Sequence, residues 1–149
     1  MPDGGLTSPA SNFRLLEADG IDLLHTPSLD VREYIYDMPV EMAAADIVIS
    51  RSGAATCNEI AASGTPGILI PSPNVTNNHQ ERNARVLSDK DAAVTILEKD
   101  CTAEKIMEVI QDLLKDPDRR ETMSKTLRSM VRLDSTERIC DIVEELTGK

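Results

Sequence analysis

Apolar residues along this chain follow two rhythms, and the change between them falls near Lys99. Before that point, short aliphatic runs alternate with polar loops and helical stretches. Residues 47–49 (IVI), 67–70 (GILI) and 92–97 (AAVTIL) have the length and composition of strands buried on both faces of a parallel sheet. Residues 29–36 (LDVREYIY) alternate well enough to be predicted as a strand ahead of them. The stretches between read as helices. Asp37-Met38-Pro39 opens the first, with proline at a tolerated first-turn position. Residues 56–63 form the next, stopped by Gly64 and kept from resuming by Pro66. Residues 78–88 form the third. Strands and helices alternating at this spacing imply right-handed crossovers. The fold class predicted is therefore α/β, a Rossmann-like parallel sheet with flanking helices and a helical C-terminal tail.

After Lys99 the pattern is helical only. Ile106, Val109, Ile110, Leu113 and Leu114 make the stripe of a helix lying on a sheet, capped by Thr102. Asp116-Pro117 opens a second helix, with Met123, Leu127 and Met130 on one side. Asp134-Ser135 opens a last one through Leu146, with Ile139, Ile142, Val143 and Leu146 predicted to face inward. At the other end, MPDGGLTSPASN is rich in Gly, Pro and Ser and aperiodic. Residues 13–18 read as a turn or two of helix, and residues 21–24 as a short apolar piece. The expected division is a loose tail over residues 1–20 and one domain over residues 21–149.

The chain has 149 residues, the length of one domain with a real core. With two Tyr, one Phe and no Trp, that core must be built from Ile, Val, Leu, Met and Ala. A net charge of −10 argues against a nucleic-acid surface and gives no electrostatic reason to sit on anionic lipid. No run approaches the roughly 20 apolar residues of a membrane span, and no signal-peptide pattern is present, which makes the cytoplasm the expected compartment. Cys57, Cys101 and Cys140 are widely spaced, and neither His25 nor His79 stands at metal-ligand spacing from them. They read as reduced packing thiols, and no metal or cofactor is called for. Cys57 as a nucleophile is the competing reading, since a helix start lowers a thiol pKa.

Two loops carry the candidate chemistry. The first, Ser50-Arg51-Ser52-Gly53-Ala54-Ala55-Thr56, follows a strand, and its tiny side chains let a ligand approach the backbone. In an open α/β sheet such loops emerge where ligands bind, and a helix start there offers N–H groups to an anion. Glu59 has two readings: a capping box with Thr56, or an acceptor for a ribose diol. The second loop, residues 71–78, leads into a cluster of Asn77, Asn78, His79, Gln80 and Asn83. Those amides suit sugar hydroxyls, and they equally suit turns and caps.

Asp46 to Glu59, Gly64-Thr65-Pro66, Pro71-Ser72-Pro73 and His79-Gln80-Glu81-Arg82-Asn83-Ala84, together with Tyr34-Ile35-Tyr36-Asp37-Met38-Pro39, resemble the donor-binding half of the MurG family, within glycosyltransferase family 28. The resemblance covers roughly residues 20 to 146 and rests on the combined pattern. It implies the carboxy-terminal half of a two-domain GT-B enzyme. Such an enzyme transfers N-acetylglucosamine from UDP-N-acetylglucosamine to undecaprenyl-pyrophosphoryl-MurNAc-pentapeptide, the lipid-linked peptidoglycan intermediate, at the inner face of the plasma membrane. It further implies that Ile35 meets the uracil through its backbone and that Glu59 holds the ribose hydroxyls. Ser52, Gly53, Ala54, Ala55 and Thr56 would lie against the sugar and phosphates, with Arg51 orienting the loop. His79, Gln80 and Asn83 would face the sugar; His79 departs from a glutamine pair that the family carries.

The family's glycine-rich diphosphate turn has no equivalent here, since Asp3-Gly4-Gly5 is not preceded by a strand. The acceptor half is absent too, so no catalytic base is assigned, and transfer by this chain alone is not expected. Two further readings stand beside this one: the catalytic subunit of a two-subunit lipid-linked N-acetylglucosaminyltransferase, and a non-catalytic α/β module binding a nucleotide or a protein.

Overall fold

The computed structural model describes residue 20, residues 28–132 and residues 134–148. Two compact units, Met1–Met38 and Pro39–Lys149, divide the chain, and each is described on its own. In the first, residues 29–36 do not form the predicted strand; they run as loop, bend and turn. Alternation identifies a strand only if a neighbouring strand completes its hydrogen bonds, and no strand among the described residues pairs with this segment. Tyr34 and Tyr36 are exposed and stack edge to face at 4.8 Å instead. The expected tail, the short helix over residues 13–18 and the apolar piece at 21–24 lie outside the described residues.

The second unit follows the predicted alternation. Helix α1 (Met38–Ala44) leads to β1 (Val48–Ser50), α2 (Ala54–Ser63), β2 (Gly67–Leu69), α3 (His79–Ser88) and β3 (Ala93–Thr95). Helices α4 (Ala103–Lys115), α5 (Pro117–Met130) and α6 (Ser135–Thr147) complete it. The strands are parallel, in the order β1-β2-β3, with Ser50 opposite Leu69 and Leu69 opposite Thr95. Successive residues of β2 point to opposite faces, and both faces are covered. Leu69 joins Met42, Cys57, Ile60, Ala84, Leu87 and Leu127 in one cluster, under α1, α2, α3 and α5. Ile68 joins Ile96, Leu113 and Met123 on the other, under α4 and α5. Burial on both faces is thus complete only at the central strand β2; in the edge strand β1 Ile49 is exposed, contrary to the expectation for residues 47–49, and β3 is half-buried beyond Ala93.

Caps account for three of the helix ends. Gly64 closes α2 in the left-handed region (φ 71°), where a side chain would be strained, and its N–H bonds the Ile60 carbonyl. Thr102 accepts from the Lys105 N–H at 3.2 Å, and Asp116 from the Arg119 N–H at 2.9 Å, with Pro117 in the first turn of α5. Two expectations fail. Thr56 does not cap α2: the helix begins two residues earlier, with Gly53 at the cap position and no side-chain cap bond. The apolar stripe of α6 does not face inward either. Ile139, Ile142, Val143 and Leu146 are all exposed, because none of the described residues covers that side.

Candidate functional site

Helices α2 and α3 both leave the carboxyl ends of their strands and rest on the same face of the sheet. This brings the two motif loops together. At the start of α2, Gly53 offers no side-chain cap, and the first helical bond runs from the Cys57 N–H to the Gly53 carbonyl at 2.9 Å. The N–H groups of Ala54, Ala55 and Thr56 thus have no acceptor among the described residues, as at any uncapped helix start, and carry the positive end of the helix dipole. Glu59 lies beyond the first turn, exposed and without a hydrogen bond or ion pair among the described residues. With Thr56 inside the helix, the capping-box reading of Glu59 falls away.

Two bonds tie the first loop to α3, and a third ties α3 to the second loop. Ser52 is fully buried, and its Oγ donates to the Gln80 carbonyl at 2.8 Å. Asn83 Nδ2 donates to the Ser52 carbonyl at 3.1 Å. The Ser72 N–H donates to Gln80 Oε1 at 2.9 Å, which turns the Gln80 amino group away as a free donor. Arg51 reaches sideways instead, donating to the Ile70 carbonyl at 3.2 Å and to the Glu98 carboxylate. That bond holds the Glu98 carboxyl below the usual range and raises the Arg51 guanidinium above its own. Arg51 therefore links the loops after all three strands.

The Asn-rich turn is largely conformational. Asn77 and Asn78 have φ of 55° and 50°, a region that Asn tolerates better than most residues. Asn78 also donates to Glu81, whose carboxyl is lowered first by that bond and then by Arg85. His79 Nδ1 donates to the Thr76 carbonyl at 2.9 Å, which leaves Nε2 as the ring's free nitrogen.

The expected site residues separate into groups. Ala54, Glu59 and Asn83 line an open groove of about 750 Å³ between α2 and α3, bounded below by Met130 and Arg132. Arg51, Ser52, Gln80 and Asn83 form the bracing between loops. Ile35 lies in the first unit, half-buried and outside any strand. Cys57 also borders the groove, but burial raises its thiol pKa, the reverse of the shift a nucleophile needs. A second hollow of about 560 Å³, beside Pro71, Glu98 and Lys99, takes in Asn78 of the second-loop cluster but none of the residues that the resemblance assigns to the donor. Glu98, Ser72 and Arg132 were not anticipated. Glu98 and Arg132 sit in no motif, and Ser72 contributes a backbone group that any residue but proline supplies.

Residues 11–144 match the glycosyltransferase family 28 C-terminal domain. Among curated relatives, the chain is 46% identical over 121 residues to the UDP-N-acetylglucosamine--N-acetylmuramyl-(pentapeptide) pyrophosphoryl-undecaprenol N-acetylglucosamine transferase of Acetivibrio thermocellus, covering 81% of this chain and 33% of that protein. It is 39% identical to the enzyme of the same name from Desulforamulus reducens, covering 88% of this chain and 35% of that one. The chain thus spans about a third of the length of these relatives. The crystal structure of Acinetobacter baumannii MurG superposes with a TM-score of 0.76 at 25% identity, over 93% of this chain and 41% of that one. With the predicted alternation of strands and helices realised in the sheet unit, the match across nearly the whole sequence identifies this chain as a member of the glycosyltransferase family 28 C-terminal domain family.

Proposed function

We propose that this chain binds UDP-N-acetylglucosamine as the donor half of an N-acetylglucosaminyltransferase acting on undecaprenyl-pyrophosphoryl-MurNAc-pentapeptide. The observation that carries this reading is the uncapped start of α2 beside the unpaired Glu59 carboxylate, in a chain whose relatives are named for that transfer. The open N–H groups of Ala54, Ala55 and Thr56 suit the donor's diphosphate, and Glu59 suits the ribose diol. The free amino group of Gln80 and the Nε2 of His79 supply contacts to the sugar. Arg51, Ser52, Gly53 and Asn83 shape the loop on which the diphosphate lies.

In the reaction, an acceptor hydroxyl attacks the anomeric carbon while the bond to the diphosphate breaks. Charge builds on the leaving oxygen, and the positive end of α2 stabilises it there. The acceptor and the base that takes its proton belong, on this reading, to a further half of the enzyme. The whole enzyme would work in the cytoplasm, against the inner face of the plasma membrane. No helix among the described residues is long and apolar enough to cross a membrane. Isothermal titration with UDP-N-acetylglucosamine, UDP-glucose and UDP tests the proposal. Saturable binding selective for the N-acetyl sugar is the expected result. Absence of binding at millimolar donor would refute it in favour of a non-catalytic module.

A further inference from the structure

The peptide between Ser52 and Gly53 joins β1 to α2, and its carbonyl accepts from Asn83 on α3 at 3.1 Å. A peptide unit is planar and trans, so its C=O and N–H point in opposite directions. Drawing the carbonyl toward Asn83 therefore turns the Gly53 N–H away from α3. That N–H has no acceptor among the described residues and belongs to the open set at the helix start.

Gly53 holds φ −62° and ψ 152°, a conformation open to any residue. Reversing the Ser52–Gly53 peptide would rotate its φ by half a turn, from −62° to about +120°, which only glycine accepts readily. A glycine at this position thus leaves the reversed peptide sterically open, and bonds to neighbouring groups must hold the orientation. Two do: Asn83 grips the carbonyl, and the buried Ser52 hydroxyl anchors the preceding residue to the Gln80 carbonyl at 2.8 Å.

We infer that Asn83 is a positioning residue for the nucleotide diphosphate, acting through the Ser52 carbonyl to keep the Gly53 N–H turned toward the bound phosphates. The inference rests on the donor reading above, and it assigns Asn83 to the loop's peptide orientation in place of the sugar.

The test is a double-mutant cycle read by titration with UDP, with uridine as the phosphate-free probe. Asn83 is half-buried within a helix, where alanine is a good helix former. Asn83→Ala is expected to weaken UDP about tenfold, the scale of one hydrogen bond lost from a charged ligand, with uridine affinity unchanged. Gly53→Ala forbids the reversed peptide, and its added Cβ would meet only Thr56 Oγ1, at an ordinary 3.8 Å. In that background Asn83→Ala is expected to weaken UDP by less than about twofold. Equal losses in the two backgrounds would overturn the inference. So would an unchanged UDP affinity in Asn83→Ala, or a parallel fall in uridine affinity. A wild-type chain that binds neither UDP nor UDP-N-acetylglucosamine overturns the donor reading along with it, so the two failures are distinguishable.

Discussion

Glu59→Ala separates a ligand-binding carboxylate from a structural one. In the structure Glu59 is exposed, lies past the first turn of α2 and bonds to no other described residue. The cap position belongs to Gly53, so removing the carboxylate breaks no cap. Surface substitutions of this kind alter stability by about 0.5 kcal/mol or less. If Glu59 holds the ribose diol, the same change removes hydrogen bonds to a charged group, worth about 1.5–3 kcal/mol. That corresponds to UDP binding weakened by about tenfold to 150-fold. Calorimetric titration with UDP gives the affinity, and thermal unfolding without ligand gives the stability. The expected pair of results is a large affinity loss with an unmoved transition. A folded variant that binds UDP as the wild type does would refute the ribose assignment. A transition displaced by several degrees would show instead that the carboxylate supports the helix.

Gln80→Glu keeps an oxygen to accept from the Ser72 N–H but removes the free amino group. The preference for UDP-N-acetylglucosamine over UDP is expected to shrink about tenfold, with thermal stability retained; an unchanged preference would remove Gln80 from the sugar site. The Glu98 carboxyl, lowered by its bond to Arg51, contributes its tether above the ordinary glutamate range and loses it as pH falls through its own lower midpoint. In Arg51→Met, a carboxyl NMR titration is expected to show that midpoint moving up toward an ordinary glutamate; no movement would dissolve the tether. Gly64→Ala forces a side chain into the left-handed region and against Arg128, and is expected to lose about 1–2 kcal/mol in urea unfolding.

The sheet unit was largely legible because its signals are local. Gly64, Thr102 and Asp116 end or begin helices through their own backbone or side-chain chemistry, and the three aliphatic runs mark strands by composition, although only β2 is buried on both faces. The failures all concern partners. Residues 29–36 have the rhythm of a strand, but rhythm does not supply a neighbouring strand. The stripe of α6 marks its apolar face without naming what lies against it. Thr56 resembles a cap in composition, yet the helix runs back to Ala54 because small residues leave nothing to stop it sooner. At the candidate site, the motifs single out Glu59 and Gln80, which the structure places exposed on α2 and bonded to the Ser72 N–H respectively. The bonds of Ser52 to Gln80 and of Arg51 to Glu98 cross 28 and 47 positions and leave no local trace.

Helix α6 draws nothing from the core, since none of its 13 residues is buried. A segment of that length in water is marginal on its own hydrogen bonds, and its stripe of Ile139, Ile142, Val143 and Leu146 gains nothing from being solvated. Its amides should therefore take up deuterium through local fraying, long before those of α2 or α5, whose inner faces are sealed. Among the described helices its last turns are accordingly the least protected backbone, and a protease would open α6 before α2 or α5.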